Sequence, residues 1–217
     1  MTRPPPLPVW RSAGLVAATL ASPFILFAAD RGLLALVAGT APCLVDPVLA
    51  RPASFIVCGL LFLWLVGSRS MLPVQPGSRT WRPTLCVCLV GAAVAAGGVA
   101  LGATGPVLPG TALIGFLALG LMAEEWLFRG VVFETFLRLT PWGTAGAVWG
   151  SAVLFAVSHF GYHSFQPAPA AWAQVAFTFP MGLALGWLRL RSGRIIPGAL
   201  AHCCINAAGL LVAAFLA

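Results

Sequence analysis

Long apolar runs, each close to the length of one membrane crossing, constrain the fold of this chain more than any other feature. They lie at about residues 13–38, 53–67, 84–103, 111–137, 144–163, 172–188 and 195–216. A helix needs about 20 apolar residues to cross the hydrocarbon core, and only the second run is clearly short. Charged residues make up 8% of the 217, too few to cover a water-soluble globule. The runs predict an all-α, polytopic transmembrane helix bundle with seven or eight crossings.

The domain organisation predicted from this pattern is simple. Residues 1–11 form a Pro-rich N-terminal arm, and residues 12–217 form a single transmembrane domain. The segment 39–52 is a loop, a re-entrant piece or part of an extra crossing, which leaves the count at seven or eight. The residues that carry chemistry fall within about 110–210.

Arginine placement predicts the orientation of the bundle. With seven crossings and a cytoplasmic N-terminus, one arginine between helices, Arg51, falls outside, and nine fall on the cytoplasmic side. These nine are Arg3, Arg11, Arg69, Arg79, Arg82, Arg138, Arg189, Arg191 and Arg194. An eighth crossing at 33–50 would move the N-terminal arm outside, whereas residues 68–83 and 189–194 stay cytoplasmic in either version.

The same arginines indicate which partners the chain has. They stand singly or in short groups between apolar runs, which favours contact with lipid headgroups and argues against nucleic-acid binding. The chain has an Ala-rich composition, and all 12 of its bases are Arg. Such a composition suggests a GC-rich bacterial genome, so we predict an integral protein of a bacterial inner (cell) membrane. The sequence does not indicate an oligomeric state.

Several polar side chains lie inside the last apolar runs, where they are expensive to insert. They are Glu124, Glu125, His159, His202 and Asn206. An ionisable side chain at mid-membrane costs about 2.5–3.5 kcal/mol on insertion scales, so such residues are candidates for a functional site.

Helical spacing gives the two glutamates different roles. Glu125 and Arg129 are four residues apart, so their side chains meet on one face and form a charge pair. Glu124 is turned by about 100° from Glu125 and is predicted to face a polar cavity as a general base. Glu125 and Arg129 are therefore predicted to support the site, and Glu124 to act in catalysis.

Two further pairs share helical faces in the same way. Phe155 and His159 are four residues apart, and we expect His159 to orient a water molecule together with Glu124. His202 and Asn206 have the same spacing and present an imidazole and a carboxamide that can stabilise an oxyanion. A base, a positioned water and oxyanion donors suffice for peptide hydrolysis without a nucleophilic side chain.

These three strings resemble the main motifs of the CAAX-processing and bacteriocin-processing (Abi, CPBP) intramembrane proteases. The matching strings are Glu124-Glu125-x-x-x-Arg129, Phe155-x-x-x-His159 and His202-x-x-x-Asn206. The resemblance covers about residues 110–210. It implies a helical membrane fold of about eight crossings and a membrane-associated protein or peptide as substrate. It also implies the same catalytic residues, Glu124, His159, His202 and Asn206.

Metal dependence is open for this family, and we predict a site without metal. The chain has no HExxH zinc motif, because the string from His159 to His163 lacks the glutamate. The six cysteines do not show paired zinc-ligand spacing either. A zinc ion held by glutamate and histidine remains the alternative to a purely glutamate-type mechanism.

Two other readings compete with the peptidase. Intramembrane Glu, Arg and His also mark proton or substrate pathways, so a non-catalytic transporter or scaffold is the main alternative. Against it, the chain is short and has no inverted repeat. A serine protease using Ser151 is the second, although its small-residue surroundings are typical of helix packing.

Overall fold

The computed structural model describes residues 81–100, 120–162 and 168–216, together with positions 14, 17 and 21. The elements within these ranges are all helical, which confirms the predicted fold class. The predicted N-terminal arm and the segments at 39–52 and 53–67 lie outside the described residues, as does all of 13–38 except positions 14, 17 and 21.

We number the described α-helices α1 to α6. They are α1 (Trp81–Ala100), α2 (Leu121–Glu125), α3 (Phe133–Leu139), α4 (Gly143–Tyr162), α5 (Ala168–Ser192) and α6 (Ile196–Leu216), with a π-helix (Trp126–Val132) between α2 and α3. Four of them, α1, α4, α5 and α6, are long and apolar enough to cross a membrane. The chain is therefore an integral membrane protein, and the count of seven or eight crossings remains a prediction.

The segment from α2 to α3 is one continuous helix that widens in the middle. Trp126 and Val132, at the two junctions of the π-helix, both keep right-handed helical backbone angles. The helix ends at Thr140, whose backbone is extended, because Pro141 follows and cannot continue it. π-Helical turns are rare and occur frequently at functional sites. This turn separates Glu124 and Glu125 from the helix end.

Helices α4 and α5 pack closely and run antiparallel. A Cβ at Gly182 would lie 3.1 Å from Ala152 Cα, and one at Gly186 would lie 3.5 Å from Val148 Cα. Gly182 and Gly186 therefore lie where the two helices approach most closely, as small residues do in membrane helix pairs.

Helices α1 and α6 run parallel. A Cβ at Gly91 would meet the Ile205 side chain, and one at Gly209 would lie 3.7 Å from Ala95 Cβ, so residue numbers rise together. Both helices therefore begin on one side of the bundle. Trp81 and Ile196 therefore lie on the same side, whereas residues 68–80 of the predicted cytoplasmic segment 68–83 lie outside the described residues.

Gly150 offers a test of the packing of α4 against α3. A Cβ there would lie 2.7 Å from the Phe136 ring, so Gly150→Ala is expected to destabilise the protein by about 1–3 kcal/mol. Gly98 is helical, with nothing within 4 Å of its Cβ position, so Gly98→Ala is the matched control. It should be neutral or slightly stabilising. Thermal unfolding in detergent checks both, and equal effects would contradict the packing.

Candidate active site

Four of the polar residues singled out in the sequence form one buried group. Glu124 is 3% exposed, Glu125 and Arg129 are 0% exposed, and His202 is 1% exposed. They come from α2, the π-helix and α6, and α2 packs against both of the other two. Buried charges persist only where they are paired and hydrogen-bonded, so the contacts among these four decide what the site can do.

The predicted pair between Glu125 and Arg129 is present. Arg129 Nη1 donates to Glu125 Oε1 at 2.9 Å, and Arg129 Nη2 donates to the Gly182 carbonyl oxygen at 3.3 Å. The guanidinium also lies over the Phe155 ring, 4.2 Å from its centroid, a cation–π contact. These contacts fix Arg129, and through it Glu125, against α4 and α5.

His202 connects this pair to Glu124. Its Nδ1 lies 2.9 Å from Glu125 Oε1, and its Nε2 lies 3.9 Å from Glu124 Oε2. Glu125 Oε1 therefore faces both Arg129 and His202, and the imidazole lies between the two carboxylates. Helical spacing pairs His202 with Asn206 alone and gives no sign of Glu125, which is 77 residues away in the chain.

The His159 ring has a defined orientation. Its Nδ1 lies 2.8 Å from the Phe155 carbonyl oxygen, which can only accept a hydrogen bond. Nδ1 therefore carries the hydrogen, and in the neutral ring Nε2 is the acceptor atom. His159 is partly buried, near the C-terminal end of α4.

Phe155 is the residue around which the two histidines meet. Its ring centroid lies 4.6 Å from that of His159 and 5.6 Å from that of His202, both edge-on. Phe128 packs against the same ring at 5.2 Å. Apolar runs read from the sequence place His159 and His202 towards opposite faces of the bilayer, whereas the structure brings both against one fully buried ring.

Asn206 lies one turn beyond His202 on α6. Its Nδ2 donates to the His202 carbonyl oxygen at 3.2 Å, so the predicted shared face is present. A carboxamide has a second N–H, which this bond does not use.

Gly198 makes room for Glu125. A Cβ at Gly198 would lie 3.2 Å from Glu125 Oε2. Within the described part of the chain, Glu125 Oε2 and Arg129 Nε are the buried side-chain polar atoms without a hydrogen-bond partner. The close approach of α6 to α2 therefore depends on a residue without a side chain at position 198.

A second ion network joins α3 to α5. Glu134 accepts from Arg138 Nε at 2.9 Å, as the four-residue spacing suggests, and from Arg189 Nη2 at 2.7 Å. Arg189 Nε also donates to the Arg129 carbonyl oxygen at 2.9 Å. Arg189 was counted from the sequence only as a charge on the cytoplasmic side; the structure shows it 5% exposed and ion-paired.

The structure also bears on the metal and serine alternatives. Among residues 81–100, 120–162 and 168–216, no group of three or more His, Cys, Asp and Glu side chains is arranged to hold a metal ion. His163 lies outside the described residues, and the absence of a metal stays a prediction. Ser151 is fully buried and its hydroxyl donates to the Val148 carbonyl oxygen of its own helix, which does not favour a nucleophilic role.

Phe155 can be tested directly. Phe155→Leu should lower activity more than Phe136→Leu, because the Phe155 ring contacts His159, His202 and Arg129. Aromatic pairs and the cation–π contact together predict a loss of about 1–3 kcal/mol of stability as well. Phe136 is a buried ring that packs against Gly150 and Trp142, so it controls for loss of a core ring. Equal activities of the two variants would contradict the role of Phe155.

Residues 106–208 match the family model described as type II CAAX prenyl endopeptidase Rce1-like. The matched range contains every candidate site residue from Glu124 to Asn206. No curated protein and no solved structure gives a significant match to the chain.

Proposed function

Residues 106–208 form an Rce1-like domain of the CAAX-processing protease family, and on this premise we propose that the chain is an intramembrane endopeptidase of the glutamate type. It hydrolyses a peptide bond in a membrane-associated protein or peptide. One observation supports this most strongly: His202 lies between Glu124 and Glu125 in a buried site. Such an arrangement combines a base with a hydrogen-bonding partner for developing charge.

Water activation is the first step. Glu124 is the general base that takes a proton from the water. His159 Nε2 is the acceptor atom of its neutral ring, because Nδ1–H donates to the Phe155 carbonyl. A water that donates one hydrogen to Glu124 and one to His159 turns its lone pair towards the scissile carbonyl carbon. Positioning of this kind is a large part of the catalytic effect of a general base.

Oxyanion stabilisation is the second step. His202 Nε2 faces Glu124, and it donates to the oxyanion when it carries a hydrogen. With Nδ1–H bound to Glu125, that is the protonated ring. The second N–H of Asn206 is the other donor. Preorganised donors in a site from which water is excluded stabilise developing charge without reorganisation.

Breakdown of the tetrahedral intermediate completes the reaction. Glu124 returns the proton to the leaving amine, which lets the C–N bond break. Glu125 and Arg129 do not touch the substrate in this scheme. They hold His202 in the orientation that the second step needs, through the bonds at Glu125 Oε1.

The depth of the site favours entry from one face of the bilayer. A Cβ at Gly130 would lie 3.3 Å from the Ile195 side chain, and Ile195 lies in the turn between α5 and α6. Glu124 is six residues from Gly130, and His202 is six residues from Ile196, so both lie roughly 9 Å from that turn. The middle of the hydrocarbon core is about 15 Å from either of its edges. The scissile bond is therefore proposed to lie near the face that carries Arg191 and Arg194.

The substrate class follows from this depth and from the composition. A leader peptide, or the C-terminal membrane tail of a sorted surface protein, presents its cleavage site near a membrane face. Both suit a bacterial inner membrane better than a prenylated C-terminus does. A prenylated CAAX peptide is the reference substrate, because the family description names that activity.

The test is cleavage by purified protein in nanodiscs. The probes are a leader-bearing and a tail-bearing membrane peptide taken from the genomic neighbourhood, and a farnesylated CAAX peptide. Cleavage by wild type and its absence in Glu124→Gln would support the proposal. Unchanged cleavage by Glu124→Gln would refute the site. Failure of wild type to cleave any probe, with a transport activity that depends on Glu124, would favour the transporter instead.

Chelator and serine controls separate the possible mechanisms. We expect cleavage to continue at the same rate in the presence of a zinc chelator, because Glu124 and His159 activate the water without metal. We expect Ser151→Ala to retain full activity, because its hydroxyl is buried and bonded to its own helix. Chelator-sensitive cleavage would assign Glu124, His159 or His202 to a metal, and loss of activity in Ser151→Ala would favour the serine mechanism.

A further inference from the structure

We infer that Arg189 is a positioning residue of the active site, although it contacts Arg129 and Glu134 and not His202. Its guanidinium donates to the Arg129 carbonyl oxygen at 2.9 Å and to Glu134 Oε1 at 2.7 Å. It lies 5.8 Å from the centroid of the Phe133 ring and is 5% exposed. One buried side chain thus holds both the backbone and a carboxylate of the helix that carries Glu124 and Glu125.

Helix α5 forms hydrogen bonds with Arg129 at two points. Gly182 accepts from the Arg129 side chain, and Arg189 donates to the Arg129 backbone. Gly182 and Arg189 are seven residues apart, about two turns, so they lie on the same face of α5. The two bonds oppose rotation of the π-helix about its axis.

Rotation of the π-helix would disconnect the catalytic group. Glu125 Oε1 reaches both Arg129 and His202 at 2.9 Å, and Glu124 Oε2 is 3.9 Å from His202. A π-helical turn is rare and mostly occurs as a single turn inside an α-helix, so contacts from a neighbouring helix can decide whether it keeps its register. The bond from Arg189 to a carbonyl within that turn supplies such a contact.

Arginine is required here because of its shape. Its rigid fork donates from Nε to the carbonyl and from Nη2 to Glu134 at the same time. Lysine carries the same charge, but its single ammonium group cannot reproduce this pair of directions. Arg189→Lys therefore separates the positioning role from simple charge pairing with Glu134.

The first readout does not depend on catalysis. The chain has three histidines, so ¹⁵N-histidine NMR in nanodiscs resolves His202 after assignment with single His→Gln variants. We expect Arg189→Lys and Arg189→Met to shift the His202 ring signals, although residue 189 does not contact that ring. Arg191→Met should leave them unchanged, because exposed Arg191 stacks on Trp187. Unchanged His202 signals in folded Arg189→Lys would overturn the inference.

The second readout rests on the proposed function. We expect Arg189→Lys to lower kcat by up to about 10²-fold while KM stays nearly constant. The reason is that misplaced catalytic groups slow the chemical step without weakening substrate binding. Arg191→Met should keep both constants. A fall in thermal stability with unchanged kcat would reduce Arg189 to a structural ion pair. If wild type cleaves no probe, the protease proposal fails, and the NMR result still decides the role of Arg189.

Discussion

Replacing Glu124 by glutamine is expected to lower the rate of peptide cleavage by about 10²–10⁴-fold, the usual contribution of a general base. Glutamine has nearly the shape of glutamate but cannot take a proton from water. Glu124 is buried and its Oε2 faces His202 Nε2, so the substitution removes the proton-accepting carboxylate from within the buried site. Initial rates of wild type and Glu124→Gln in nanodiscs measure the effect.

The control for this prediction is the folded state of the variant. Glu124→Gln should insert into the membrane as wild type does and should retain an ordered His202 in its ¹⁵N-histidine spectrum. Glu124→Asp is the conservative partner, because it keeps the carboxylate but withdraws it by one methylene. We expect Glu124→Asp to recover part of the lost rate. A Glu124→Asp variant no more active than the glutamine variant would weaken the role of a proton-accepting carboxylate.

The second large effect is expected on stability. Arg129→Met should lower the free energy of unfolding by about 3–5 kcal/mol, because it removes the arginine partner of the buried Glu125 carboxylate and leaves that carboxylate with His202 alone. Glu125→Gln should cost a similar amount for the opposite reason. The double variant should be more stable than the sum of the two losses predicts, because it removes both charges together. Unfolding in mixed micelles measures all three.

Arg138→Met is the matched control for this cycle. Arg138 pairs with Glu134 at the same four-residue spacing, but its side chain is 29% exposed and Glu134 keeps Arg189 as a partner. Its loss should cost at most about 1 kcal/mol, as for other exposed pairs. Strict additivity of Arg129→Met and Glu125→Gln would show that the two charges do not stabilise each other.

Local spacing explains why part of the site was predictable. Residues four apart on a helix share a face, so the Glu125–Arg129 contact, the shared face of His202 and Asn206 and the pairing of Glu134 with Arg138 follow from position alone. The match to the Rce1-like family model confirms the resemblance read from the three motifs. The catalytic roles of Glu124, His159, His202 and Asn206 remain predictions.

Contacts between distant segments were not predictable in this way. The bond between His202 and Glu125 depends on how closely α6 approaches α2, and that approach requires a glycine at position 198. The meeting of the two histidines depends on Phe155, which read as an ordinary apolar residue within a motif. Arg189 resembled a topogenic charge, and no local pattern indicated that it is buried against Glu134.

The sequence by itself determined that the chain lies in a membrane, which residues are costly to place there and which of them share a helical face. Apolar length and helical periodicity fix these features, because both act over a few turns. Only the tertiary structure decided that Glu125 binds His202, that Phe155 lies between the histidines, and that Arg189 reaches the π-helix. These contacts depend on the separation and rotation of packed helices, which are set by side chains along their whole length.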